Sequence, residues 1–151
     1  MNKLDYIRVC CHIILSNKNL ISSNGVTYCN IGFYYILRLL GLGDDFVNKL
    51  YKEPYLANEM YDILKEKYKQ VNIEEVLSNL ESGKLYAASI KDNPHGHIAL
   101  IYPHKTKVYS IKWNKLVPLC VNFGKENGII GLNWAFNKEP EYFELGEPKC
   151  C

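Results

Sequence analysis

The apolar residues of this chain change their spacing once, near residue 83. Before that point they recur at helical intervals. After it they come in short runs bounded by Pro, Gly and Asn. Over residues 3–15, Leu4, Ile7, Cys11, Ile14 and Leu15 share one helical stripe. A polar loop follows from Ser16 to Gly25, rich in Asn and Ser. Thr27 then stands before an apolar run that ends at Gly41, which predicts a buried helix over about 28–40, with Thr27 as N-cap and Gly41 as its stop. Residues 44–51 suggest a short helix. Leu56 to Tyr68 reads as an amphipathic helix with Met60, Ile63, Leu64 and Tyr68 inward, and a further helix runs from an Asn72 cap through Val76, Leu77 and Leu80 to Gly83. From there the pattern is that of strands: Leu85–Ile90, His97–Tyr102, and runs at 107–111, 116–123 and 141–145, with a turn at Asp92-Asn93-Pro94. Helices first and strands second, without alternation, predict an α+β fold around a mostly antiparallel sheet.

The 151 residues form one expected domain, 1–151, long enough to bury a core without a disulfide or metal. Hydrophobic residues make up 48% and charged residues 23%, an ordinary globular balance. A formal charge of +2 gives no electrostatic case for nucleic acid or an anionic membrane. No run approaches the ~20 apolar residues of a membrane span. The apolar stretch Ile7–Leu15 holds Arg8 and His12 and has no cleavage site after it, so the expectation is synthesis in the cytoplasm without a signal peptide. The six Cys, at 10, 11, 29, 120, 150 and 151, include no CxxC, and reduced thiols are expected. Cys10-Cys11-His12 reads as helix packing with one exposed thiol, and Cys150-Cys151 as an exposed tail.

Cys29 is the sharpest chemical feature. It stands in Gly25-Val26-Thr27-Tyr28-Cys29-Asn30, at the expected start of the buried helix. Free N–H groups and partial positive charge at a helix start favour a thiolate and can hold an oxyanion. A small core residue that begins a helix is the plainer alternative. The second feature is Gly96-His97-Ile98-Ala99-Leu100-Ile101, where a His opens an apolar strand after a Pro and Gly turn. Such a His can serve as general base. Nucleophile and base need only meet in space, so their separation along the chain is no obstacle.

The TYCN box with its apolar helix, and GHIALIYP downstream, resemble the cysteine, histidine-dependent amidohydrolase/peptidases (CHAP) and the related NlpC-type peptidases. The likeness is nearest to phage and prophage cell-wall peptidases with a TYCN or TFCN box. Ala57-Asn58-Glu59-Met60, the ESGKLYAAS segment and Cys120-Val121-Asn122-Phe123-Gly124 fall in the matching order, so the resemblance covers about 22–136. It implies a papain-like fold, Cys29 as nucleophile and His97 as base. It also implies a polar third residue on a later strand, for which Asn122 stands where Gln or an acid is the usual occupant. The oxyanion hole would combine the Cys29 N–H with one donor from Asn24, Tyr28 or Asn30. The implied substrate is a peptidoglycan amide: a stem-peptide, cross-bridge or muramoyl–alanine bond. No cofactor is implied. A small hydrolase of this kind would reach the wall by another route, with a possible partner protein for delivery.

Rival expectations are few. His95, His97 and Cys120 lack the paired spacing of zinc sites. A terminal Cys-Cys suggests prenylation only beside a phosphate-binding loop, which the chain lacks. A papain-like binding module that has lost its chemistry is a second possibility, with Trp113, Trp134 and the twelve Tyr offering surfaces for glycan or peptide. A toxin-like deamidase or transglutaminase would use the same Cys and His.

Overall fold

In the computed structural model, which describes residues 1–149, the chain is an α+β protein whose sheet is antiparallel at every pairing. The expected tail at Cys150 and Cys151 lies outside the described residues. The helices are α1 (Lys3–Leu15), α2 (Cys29–Leu39), α3 (Ala57–Lys67), α4 (Ile73–Ser78) and α5 (Leu132–Ala135). A small hairpin joins β1 (Val47–Asn48) to β2 (Glu53–Pro54). The main sheet holds β3 (Lys69–Val71), β4 (Leu85–Ile90), β5 (His97–Ile101), β6 (Lys107–Ser110), β7 (Lys115–Phe123), β8 (Asn127–Gly131) and β9 (Glu141–Gly146). Its order is β3-β9-β4-β5-β7-β6, with β8 also on β7. The first half of β7 pairs with β6 and the second half with β5 and β8.

Strand alternation divides the core into two layers. Leu85, Ala87, Ile98, Leu100, Val121, Phe123, Phe143 and Leu145 face α1, α2 and α3. Tyr86, Ala88, Ala99, Ile101, Cys120 and Tyr142 face α4 and α5. The packing of α2 on the sheet is unusually close. A Cβ on Gly32 would stand 2.3 Å from the Phe123 ring, so only glycine lets the helix rest there. One face of α2 is buried (Cys29, Gly32, Phe33, Ile36, Leu37), while Leu39 is exposed, so the helix expected to be buried is covered on one side only.

Several expectations are corrected. The segment 44–51 is not a helix: after a 3-10 turn at Asp44–Phe46, the Asn48 side chain accepts the N–H groups of Leu50 and Tyr51 and turns the chain into the β1–β2 hairpin. The N-cap of α2 is Tyr28, whose carbonyl accepts the first helical N–H, from Gly32 at 2.9 Å; Thr27 lies one residue outside. Helix α4 stops at Ser78 and its last residues to Gly83 form turns, although Asn72 caps it through Glu75 N–H at 2.9 Å. Cys10 and Cys11 are both buried, so neither is the exposed thiol expected there. No disulfide involves Cys10, Cys11, Cys29 or Cys120. Among the described residues no helix is long and apolar enough to cross a membrane.

Candidate functional site

Cys29 is the first residue of α2, and its N–H, with those of Asn30 and Ile31, precedes the helical ladder. The side chain is 6% exposed. The backbone N–H groups of Ile98, Asn30 and Cys29 itself are near enough to the sulfur to favour its charged form. Burial raises the thiol pKa above its ordinary 9.0, and these three donors only partly oppose the rise. The expected thiolate-favouring helix terminus is therefore outweighed by desolvation, and the resting group is a neutral thiol.

His97 opens β5, next to the Ile98 amide that meets the sulfur. Its Nε2–H donates to Asn122 Oδ1 at 2.7 Å. Asn122, only 5% exposed on β7, is itself fixed, because its Nδ2 donates to the Glu126 carbonyl at 2.9 Å. That second bond settles which end of the amide faces the imidazole, so Nε2 carries the proton and Nδ1 is the basic nitrogen. Phe136 packs against the ring, with centroids 4.8 Å apart. Burial holds the His97 pKa below its ordinary 6.5, and the Asn122 bond works against that shift. Among the described residues no hydrogen bond joins Cys29 to His97. Cys29 at the start of α2 and His97 at the start of β5 approach one another because α2 packs on the sheet, with the Ile98 amide beside the sulfur.

The loop that delivers His97 is clamped. Asn58 Nδ2 donates to the Asp92 carbonyl at 2.7 Å, and Asp92 N–H donates back to Asn58 Oδ1 at 3.2 Å. A Cβ on Gly96 would stand 2.2 Å from Asn58 Oδ1 and 2.3 Å from the Ile90 carbonyl, so glycine is required just before the His. Asn58 sits in the matched ANEM segment, but its partner is backbone, which no residue pattern advertises.

Two grooves flank this centre and share Thr27. One, of about 390 Å³, is lined by Cys29, Asn30, Leu56, Asn58, Glu59 and His95, among others. The other, of about 740 Å³, is lined by His97, Asn122, Lys125, Glu126, Trp134 and Asn137, among others. Of the side chains named for the oxyanion hole, Asn30 donates to the Tyr55 carbonyl at 3.0 Å and ties α2 to the chain before α3. Asn24 sits in the tight Ser23–Val26 turn with φ 52°, and Tyr28 packs on the core; neither lines a groove. The donors that do meet the sulfur are main-chain amides. Trp134 is 81% exposed on the larger groove. Trp113 is half-buried with the Lys112 ammonium 4.9 Å from its ring centroid, and lines neither. Among the described residues, no group of three or more His, Cys, Asp or Glu is arranged to hold a metal ion.

Two outcomes follow from this geometry. Alkylation of Cys29 by iodoacetamide, read at that residue by peptide mass mapping, will be slow at neutral pH and will accelerate only above pH 9, because its thiol pKa is raised from 9.0. Fast labelling below pH 8 would mean that a thiolate rests there. Asn122→Ala frees the imidazole to rotate and leaves Nε2–H without its acceptor; in any reaction that uses His97, a misplacement of this kind costs about 10²-fold in rate. Parent-like turnover by that variant would remove Asn122 from the site.

A comparison with protein-family models finds no match for the chain, and a comparison with curated proteins finds none either.

Proposed function

We propose that this protein is a papain-like cysteine hydrolase that cleaves an amide bond of bacterial peptidoglycan. The observation that carries the proposal is the His97–Asn122 pair, held at 2.7 Å with its tautomer fixed, next to a cysteine that begins a helix packed on the same sheet. The TYCN and GHIALIYP boxes supply the substrate class by resemblance.

The reaction is acyl transfer. With substrate in the groove, rotation about the Cα–Cβ bond turns Sγ–H toward His97 Nδ1. The imidazole takes that proton as sulfur attacks the carbonyl carbon, forming the S–C bond. Main-chain N–H groups at the start of α2 receive the oxygen as it gains charge. His97 then protonates the amine nitrogen, the C–N bond breaks, and a thioester remains. Water gives its proton to His97 and its hydroxide to the acyl carbon. The acid leaves, and the proton returns to sulfur. In this scheme Asn122 orients the ring without adding charge, as expected of an amide in the third position.

The test is digestion of purified sacculi, followed by mass analysis of the soluble products, with the parent protein and Cys29→Ala. The expected result is Cys29-dependent release of one class of new amine terminus, which also identifies the bond. Release by Cys29→Ala at the parent rate sinks the proposal. One observation favours a second function, that of a binding module with silent chemistry: the thiol is buried, and no hydrogen bond joins it to His97. That function predicts sedimentation of the parent protein with sacculi and no soluble product.

The pH profile of hydrolysis follows from the same groups. The imidazole must be neutral to accept the thiol proton. Because its pKa is lowered from 6.5, kcat/KM will hold its plateau as pH falls to 6.5 and decline only below that value. An acid limb centred above pH 7 would contradict the burial-driven direction.

A further inference from the structure

The two grooves that meet at Thr27 differ in which reacting group they contain. The smaller is lined by Cys29 and by Asn30, whose amides precede the α2 ladder. The larger is lined by His97 and Asn122. Resting on the hydrolase function above, we infer that the cleft has a fixed polarity: the acyl half of the scissile amide occupies the smaller groove, and the amine half occupies the larger one against Trp134. The chemistry requires this order. The carbonyl oxygen must lie on the amides at the start of α2, and the leaving nitrogen must lie on the side of its proton donor, His97.

The amine half has the same chemical class in all three candidate peptidoglycan bonds. A muramoyl–alanine bond releases a peptide amine, and so do a stem-peptide bond and a cross-bridge bond. The larger groove fits such an occupant. Trp134, 81% exposed, offers a broad apolar face at its wall. A Cβ on Gly131 would stand 3.2 Å from Trp134 Cδ1, so one edge of the indole lies close to the chain at the groove wall. Lys125 and Glu126 place one cation and one anion on the same groove, matching a peptide that carries both a carboxylate and an amine. Trp134 is thus a specificity-determining residue for the leaving peptide.

This assignment makes a kinetic distinction that a purely structural role for Trp134 does not. The amine half is present during acylation and gone during deacylation. With muropeptides released from sacculi by a muramidase, Trp134→Ala will lower kcat/KM about tenfold or more, as for a truncated Trp anchor. Single-turnover decay of the acyl-enzyme, followed by mass spectrometry, will stay at the parent rate. Equal loss in both steps, or no loss in either, overturns the inference. A binding arm needs no turnover: in Cys29→Ala, millimolar Ala–γ-Glu–Lys tripeptide will shield Trp134 from iodide quenching, while the Trp113 signal that remains after Trp134→Phe will not respond to the peptide. Shielding without hydrolysis by the parent protein keeps the peptide groove and overturns the hydrolase. Hydrolysis without shielding and without a Trp134 effect does the reverse.

Discussion

On the proposed hydrolase function, His97→Ala will lower the rate of amide cleavage by about four orders of magnitude, the scale seen when one member of a nucleophile–base pair is removed. The size of the effect comes from the state of the thiol. Cys29 rests neutral because burial outweighs the three N–H groups around its sulfur. A neutral thiol is a poor nucleophile, so the proton must leave as the bond forms, and His97 is the base within the site whose tautomer leaves a nitrogen free for it. Removing the ring also strands Asn122 Oδ1, a buried acceptor, which costs roughly 1–3 kcal/mol of stability. Lost folding and lost chemistry are separated by His97→Gln. Its side-chain amide offers an N–H toward Asn122 and keeps volume against Phe136, but it cannot accept a proton at neutral pH. The two variants are expected to be equally inactive in muropeptide hydrolysis, while thermal melting shows His97→Gln the more stable. Added imidazole will restore part of the activity of His97→Ala alone. Turnover by either variant within tenfold of the parent protein would remove His97 as the base.

Much of this arrangement is legible in the sequence, and the limits have physical causes. Helix α2 was visible because an apolar run lay between a polar loop and Gly41, and β4, β5 and β7 because short apolar runs ended at turn residues. The helix expected over 44–51 gives way to a 3-10 turn and the β1–β2 hairpin because one Asn48 side chain caps two N–H groups, a local competition that periodicity does not register. Strand β8 and the short α5 were missed. The segment Asn127-Gly128-Ile129-Ile130-Gly131 carries two glycines and pairs only because β7 is already in place beside it. At the site, residue types pointed to Cys29, His97 and Asn122, but not to the state of the thiol. Helix-terminus reasoning favoured a thiolate; the depth of burial, a tertiary property, reverses the sign. Backbone donors such as Ile98 N–H leave no signature in residue identity at all.

Gly32→Ala is the variant in which packing and chemistry are expected to fail together. In an exposed helix this substitution stabilises by about 1 kcal/mol, because alanine restricts the unfolded chain and favours the helix. Here the added Cβ would lie 2.3, 2.4 and 2.6 Å from Cδ2, Cγ and Cε2 of Phe123. Phe123 is fully buried on β7, beside Asn122, and the layer around it is filled by α2 and the neighbouring strands. The ring has no free space to enter, so the helix must rise from the sheet. Overpacking of this kind costs about 1–3 kcal/mol, enough to reverse the usual sign of the substitution. Denaturant unfolding measures it directly. The same displacement carries Cys29 away from the Ile98 amide and from the strand end that holds His97, and a shift of about 1 Å at reacting atoms costs about 10²-fold in rate. The double variant Gly32→Ala with Phe123→Ala relieves the collision, since alanine has none of the three ring atoms that the Cβ would meet. It is expected to recover stability relative to the sum of the single variants, and to recover hydrolysis with it. A Gly32→Ala protein as stable as the parent would show that α2 does not seat on Phe123. Independent behaviour of the two substitutions would show that the contact does not set the position of Cys29.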